Sequence, residues 1–386
     1  MDQLVAFIGA DIFDGTRVVC DHALLVQGGV VRGVVARADV PGEARIGRRD
    51  GGTLVPGFVD LQVNGGGGVM FNDAPSLATL KVIARAHGRL GATSILPTLI
   101  TDTPDKTRAA IAAVEAAIAQ GIPGITGLHL EGPHLSQARK GAHDGDLIRP
   151  MTGTDVTVLL GAAASLPVLK VTIAPESVTF EQMQRLSGAG IILSLGHTDA
   201  GHATCVTAFE NGVRCATHLF NAMSPLGNRE PGLVGAVLGT GGVSAGMIAD
   251  KVHVHPEAMG AALRAKRGPG RVFLVSDAMA TAGSGIDSFV LNGRRIGRED
   301  GRLTLADGTL AGADLALTTA IGNLVRACDL PLQTALAMAT SIPAGVIGLG
   351  RMLGHIGAGR AADFVHLGDD LDLRGVWRKG KRLVDS

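Results

Sequence analysis

Four polar side chains lie at the ends of apolar stretches of this sequence, where buried strands are predicted to end. They are Glu131, His197, His218 and Asp277. One such residue is usually satisfied by its structural surroundings, but four on different strands of one barrel would converge over its axis. Two histidines and a carboxylate, with a water at an open position, form a hydrolytic metal site. Asp277 would then be free to accept the proton of that water.

This convergence depends on the strands that carry the four residues. Eight short runs are nearly continuous in Val, Ile, Leu, Ala and Gly, as is typical of parallel strands covered on both faces. They span 54–64, 93–100, 125–132, 168–176, 191–198, 214–221, 244–250 and 272–278. Helix-like stretches at 76–90, 105–120 and 255–267 separate several of them. The pattern predicts a (β/α)8 TIM-like barrel, with chemistry at the C-terminal strand ends.

An open doubly wound sheet is the alternative, but no Gly-x-Gly-x-x-Gly follows the first run. The two ends of the chain differ from the middle, because they hold short strand-like pieces separated by Asp-Gly and Gly-Gly turns. We predict that 1–53 and 346–386 form one small β-sandwich domain, and that 54–345 form the barrel. Two unrelated extensions are the alternative. The insertion at 288–312 is predicted to be a hairpin followed by a loop over the barrel mouth.

Composition excludes several classes of partner. Lys plus Arg equals Asp plus Glu, 35 each, so no basic excess favours a nucleic acid or an anionic membrane. No run of about 18 apolar residues predicts a membrane span. The four cysteines form no Cys-x-x-Cys pair, and the first residues lack the pattern of a signal peptide. We therefore expect a cytoplasmic enzyme whose substrate is a small molecule.

Seven short motifs add a resemblance to these expectations. They are PGFVDLQVNG (56–65), LEGPH (130–134), KGAH (140–143), GHT (196–198), THLFNAM (217–223), REPG (229–232) and SDA (276–278). Their combination resembles the N-acetylglucosamine-6-phosphate deacetylase family of the amidohydrolase superfamily, essentially from end to end. The tail GHIGAGRAAD (354–363) resembles the return into the small β domain of that superfamily.

The resemblance implies a role for each matching residue. Glu131, His197 and His218 would bind the metal, Asp277 would act as general base and then acid, and His143 would polarise the reacting carbonyl. Arg229 and His253 would bind the phosphate, with the arginine reaching the neighbouring active site of a homodimer. The other substrate-binding positions are Gln62, Asn64, Ala142, Asn221, Ala222, Leu310, Ala311 and Gly312.

The end of the first run bears on the metal count. Many amidohydrolases have His-x-His there to hold a second metal, whereas this chain has Gln62-Val63-Asn64. Amides are weaker ligands than imidazole for a zinc-like ion, so we expect one divalent metal per chain, zinc first, with iron or cobalt as alternatives. His134 departs from the family pattern, and we interpret it as a loop residue beside the site.

The expected reaction is hydrolysis of N-acetyl-D-glucosamine 6-phosphate to D-glucosamine 6-phosphate and acetate. Two alternatives remain at this point. The first is the same chemistry on N-acetylgalactosamine 6-phosphate, another acylated amine or a cyclic amide. The second is a non-catalytic scaffold, which the retention of all three predicted ligands and of Asp277 disfavours.

Overall fold

A computed structural model describes residues 2–383 of the chain, so the outermost residues of both predicted terminal segments lie outside it. The described chain divides into two compact units. Within the described residues, one comprises 2–60, 87–94 and 316–383, and the other comprises 61–86 and 95–315. The division predicted from sequence, at 53/54 and 345/346, stays a prediction.

Eight strands form one sheet in sequence order, and neighbouring strands from the second to the eighth pair in parallel. The strands are Phe58–Val63, Ala92–Ile100, Leu128–Glu131, Leu169–Ile173, Ile192–Leu195, Cys215–Ala216, Ser244–Met247 and Val272–Leu274. The Asp277 amide donates to the Gln62 carbonyl at 3.1 Å, and the Asn64 amide donates to the Ala278 carbonyl at 2.9 Å. These bonds join the last strand to the first, and the predicted (β/α)8 barrel is confirmed.

Burial explains why the apolar runs form strands of this kind. Every residue of Ala92–Ile100 and of Leu169–Ile173 is buried, as a parallel sheet covered on both faces requires. The helices of the chain are Leu77–Arg89, Pro104–Ala119, Gly153–Ser165, Phe180–Gly188, His202–Glu210, Gly232–Gly239, Pro256–Ala265, Leu317–Cys328, Leu332–Ala339 and Ser341–Val346. Within residues 2–383, no helix is long and apolar enough to cross a membrane.

Strands from both ends of the chain form two further sheets. One contains Val5–Ile8, His22–Gln27, Val30–Ala36 and Arg45–Arg48, and the other contains Asp11–Phe13, Val18–Val19, Thr53–Pro56, Phe364–Leu367, Leu373–Arg378 and Lys381–Arg382. Thr53–Pro56 pairs with Phe364–Leu367, so the second sheet joins the two ends. Phe7, Phe364 and Trp377 pack together in the core beneath, with the last two rings stacked 4.8 Å apart.

The insertion contains the predicted hairpin and loop, with a third strand between them. Ser288–Leu291, Arg294–Glu299 and Arg302–Thr304 form a three-stranded antiparallel sheet, and the loop after it runs to residue 312. Leu291, Thr309, Leu310 and Gly312 line a cavity that also contains the predicted metal ligands. The insertion therefore forms one wall of the cavity at the barrel mouth.

Candidate metal centre

The three predicted ligands meet in the structure. Glu131 Oε1 lies 3.2 Å from His197 Nε2 and 3.0 Å from His218 Nε2, and the two nitrogens are 3.1 Å apart. All three side chains are buried, with at most 5% of each residue exposed. Sequence separations of 21 to 87 residues thus bring two imidazole nitrogens and one carboxylate oxygen to a single point.

The backbone turns sharply where these residues leave their strands. His197, His218 and Asp277 have φ angles of 49°, 33° and 49°, in the left-handed region that residues other than glycine seldom adopt. Such conformations cost about 1–3 kcal/mol each and cluster at functional sites. The observed strands are shorter than the predicted runs because the chain turns here. The turns direct side chains over the barrel end instead of along its wall.

One hydrogen bond determines which ring nitrogen of His197 is available to a metal. Its Nδ1 lies 2.8 Å from the Arg139 carbonyl oxygen, which can only accept, so Nδ1 carries a proton. In the neutral ring Nε2 is then a lone pair that faces the Glu131 carboxylate, itself an acceptor. A divalent cation would satisfy both groups, and metal-bound histidines commonly donate their other N–H to a carbonyl in this way. The donor set therefore fits a metal of the zinc type.

Electrostatics keep Glu131 ionised. Burial alone raises the pKa of Glu131, but the imidazoles of His197 and His218 beside its carboxylate outweigh burial and hold that pKa well below its usual range. The pKa of His218 is affected in the opposite sense, because burial lowers it and the Glu131 carboxylate raises it by more. Glu131 is thus an anion available to a cation.

Asp277 lies beside this set and is held by two amides. Its Oδ1 accepts from Asn64 Nδ2 at 2.7 Å and from Gln62 Nε2 at 3.1 Å, and the same Gln62 group is 3.0 Å from Glu131 Oε2. Burial, followed by the charge of Glu131, raises the pKa of Asp277. The carboxylate is therefore positioned, nearly enclosed and disposed to take up a proton.

His143 is a fourth buried side chain at this centre. Its ring lies 4.3 Å from the ring of His197, and Glu131, His143 and His197 also form a set whose ligand atoms lie within 4.8 Å of one another. His143 Nδ1 lies 2.7 Å from the Thr101 hydroxyl oxygen and 3.4 Å from the Thr101 amide nitrogen, so Nε2 is the ring nitrogen left to face a substrate. Burial, and then His197, lowers the pKa of His143 well below its usual value, so the ring is neutral. One ring nitrogen of His143 is thus held by Thr101, whereas His218 Nε2 lies 3.0 Å from Glu131 Oε1, so His218 stays the predicted third ligand.

A cavity of about 250 Å³ opens onto these residues. Most of the predicted substrate positions line it, namely Asn64, Ala142, Asn221, Ala222, His253, Leu310 and Gly312. Gln62 lies behind the carboxylates and Ala311 is fully buried, so neither lines the cavity. Arg229 is exposed on its loop and does not line it either.

Several residues of the site were not predicted. They are Ile100, Ile248, Met279 and Leu291, which give the cavity an apolar side. Asp250, which the sequence places near the site without a ligand role, accepts a 2.6 Å hydrogen bond from His253 Nδ1. Ile100 and Ile248 end or follow apolar runs, and that position was a usable signal. His134 bonds to the Arg149 carbonyl at 3.1 Å and lines a separate cavity with Arg149 and Asp155.

Comparisons with known proteins agree with this geometry. A model of the amidohydrolase family matches residues 53–383. The chain is 41% identical, over 97% of its length and 96% of the relative's, to an N-acetylgalactosamine-6-phosphate deacetylase of Shewanella sp. (strain ANA-3). It is 34% identical, over 97% of its length and 98% of the relative's, to an N-acetylglucosamine-6-phosphate deacetylase of Haemophilus influenzae.

Solved structures show the same similarity. The N-acetylglucosamine-6-phosphate deacetylase of Pasteurella multocida superposes with a TM-score of 0.94 at 34% identity, over 98% of this chain and 99% of the other. A mutant N-acetyl-D-glucosamine-6-phosphate deacetylase of Mycobacterium smegmatis, in complex with N-acetyl-D-glucosamine-6-phosphate, superposes with a TM-score of 0.91 at 31% identity, over 99% of both chains.

Proposed function

The chain belongs to the amidohydrolase family, and from this membership we propose that it is an N-acetylhexosamine-6-phosphate deacetylase. Its substrate is N-acetyl-D-glucosamine 6-phosphate, and its products are D-glucosamine 6-phosphate and acetate. The observation that carries the proposal is the meeting of Glu131, His197 and His218 beside Asp277 at the end of the barrel.

The reaction adds water across the acetamide bond. A divalent cation held by Glu131, His197 and His218 would lower the pKa of water and polarise the substrate carbonyl. Asp277 accepts the proton of the water as its oxygen attacks the carbonyl carbon, and His143 donates from Nε2 to the carbonyl oxygen. Asp277 then returns the proton to the nitrogen as the carbon–nitrogen bond breaks. Acetate and the free amine leave.

We propose one cation per chain, with zinc as the first choice and iron or cobalt as alternatives. The amide groups of Gln62 and Asn64 support this count. Both direct N–H groups at the carboxylates Glu131 and Asp277, which engages them as donors. Their oxygens remain, but an amide oxygen is a weaker ligand than imidazole for a zinc-like ion.

The phosphorylated sugar would lie in the lined cavity, with His253 toward the phosphate and its ring oriented by Asp250. Ala142, Asn221, Ala222, Leu310 and Gly312 would contact the sugar. Arg229, exposed on its loop, would supply its planar fork to the phosphate of a neighbouring chain in a homodimer. The four free cysteines fit a cytoplasmic location.

The galacto epimer is a second candidate substrate. The observation in its favour is the 41% identity to a relative named N-acetylgalactosamine-6-phosphate deacetylase. The two sugars differ in the orientation of one hydroxyl, which the shape of the cavity must discriminate.

One assay tests both substrates. The purified protein is stripped of metal, reloaded with zinc, iron or cobalt, and offered each epimer while acetate release is followed. We expect metal-dependent release, with the larger kcat/KM for the gluco epimer. A larger value for the galacto epimer would make that sugar the substrate, and no acetate from either sugar with any metal would refute the proposed reaction.

A further inference from the structure

A groove lined by arginines lies in the unit that contains both chain ends. Its cavity has a volume of about 710 Å³, and Arg48, Arg49, Arg374 and Arg382 line it together with the indole of Trp377. An adjoining cavity of about 410 Å³ shares three of these arginines and adds Arg45. We call these five arginines and Trp377 the arginine groove. It shares no residue with the catalytic cavity.

The groove is built from two sheet edges. Arg45–Arg48 is the edge strand of the four-stranded sheet, and Lys381–Arg382 is the edge strand of the six-stranded sheet. Trp377 lies on the strand next to that second edge and pairs with Arg382. Segments more than 300 residues apart in sequence therefore bring their arginines to one place.

The charges of the groove are poorly compensated. Within residues 2–383, no ion pair involves Arg45, Arg48 or Arg49, whereas Arg374 pairs with Asp370. Three acids, Asp50, Asp369 and Asp370, also line the groove, so its five arginines leave an excess of positive charge. Positive charge thus accumulates in a concave surface, where an anion would be attracted.

Arg49 is held ready for a ligand. Its guanidinium carbon lies 4.7 Å from the centre of the Trp377 ring and 5.3 Å from that of Phe7, and such contacts fix its orientation. Its Nε is buried and has no hydrogen-bond acceptor among the described residues. Burial, followed by repulsion from Arg382 and Arg45, lowers the pKa of Arg49. A bound anion would offset the repulsion among these arginines.

We propose that the arginine groove is a second binding site, which takes a phosphorylated small molecule. Planar guanidinium forks match phosphate oxygens in pairs, and the volume falls in the usual range for small-molecule sites. A nucleic acid or an anionic membrane would need an extended basic surface. This chain has no net charge, and acids stand on the rim of the groove.

Trp377 makes the proposal directly measurable. It is the single tryptophan of the chain, which has no tyrosine, so intrinsic fluorescence excited at the indole band reports on this groove. The intact, metal-loaded protein is titrated with inorganic phosphate and with pyrophosphate at constant ionic strength. We expect a saturable change, half complete below about 10 mM and at lower concentration for pyrophosphate.

Variants localise the response. Arg48→Gln with Arg382→Gln removes two exposed forks and should weaken pyrophosphate binding by about tenfold or more. Arg32→Gln with Arg351→Gln makes the same change in charge at exposed positions outside the groove and should leave binding unaltered. Acetate release should stay unchanged in both double variants. The single change Arg48→Lys keeps the charge but not the fork, and should bind with intermediate affinity.

Three results would overturn the proposal. They are a fluorescence response that does not saturate, an equal loss of binding in the control variant, and tighter binding of a short single-stranded oligonucleotide than of pyrophosphate. The last result would assign the groove to nucleic acid.

Discussion

The replacement Asp277→Asn separates proton transfer from the rest of the site. Asp277 is 8% exposed, and its Oδ1 accepts from the amides of Gln62 and Asn64. An asparagine has the same shape, and its own carbonyl oxygen can accept both bonds. The variant should therefore fold, hold its metal and bind substrate with an unchanged KM.

What the variant loses is the ability to take up a proton. Positioned acid–base groups contribute about 10²–10⁴ in rate, so we expect kcat to fall by about 10³. That factor corresponds to about 4 kcal/mol at 1.36 kcal/mol per tenfold. Stability should hold or rise slightly, because the change removes a buried charge that Glu131 repels.

The assay combines acetate release with metal analysis of the same samples. Asp314→Asn is the matched control, since it neutralises a carboxylate, 12% exposed, that pairs with Arg298 at 2.7 Å outside the cavity. The control should keep kcat within a factor of about two. If Asp277→Asn kept its metal and lost less than about tenfold in kcat, another group would be the proton acceptor and the assignment would be wrong.

Three further predictions follow from other parts of the structure. Removing metal with a chelator should abolish turnover and lower the Tm, because free metal at 100 times its Kd adds about 2.7 kcal/mol to the free energy of unfolding. Adding zinc should restore both turnover and Tm. Two tightly held ions per chain would contradict the single site. Arg294→Gln removes a hydrogen bond to the Ala142 carbonyl. It should lower kcat/KM about tenfold, because the loop that carries Ala142 beside the reacting centre becomes less ordered. Arg295→Gln, at the next position of the strand, is the control, and an equal loss there would refute the prediction. Asp155→Asn should lower the free energy of unfolding by about 1–2 kcal/mol at pH 7, because Arg149 binds this carboxylate through two 2.6 Å hydrogen bonds. The partial exposure of the arginine limits the effect. Those bonds lower the pKa of Asp155 in the folded protein. Their contribution to the free energy of unfolding is therefore fully present above about pH 3.9 and is lost as the pH falls through the folded-state pKa. A destabilisation by Asp155→Asn that did not shrink in acid would contradict this pH dependence.

The sequence by itself determined the barrel and predicted which polar residues meet at its end. Continuous apolar runs such as 93–100 predict strands buried on both faces, because only a covered strand tolerates apolar residues on both sides. Glu131, His197 and His218 were recognised because each ends such a run, and barrel chemistry lies at strand ends. Burial pattern and strand polarity are local properties, so they can be read along the chain.

Only the tertiary structure decided how those groups act. The proton of His197 is placed by the Arg139 carbonyl, 58 residues away, and the His143 ring is held through Nδ1 by Thr101, 42 residues away. The bridging of two carboxylates by Gln62 and the assembly of the arginine groove are equally remote in sequence. These contacts depend on a few ångströms between distant segments, and no local pattern records such distances until the strands have paired.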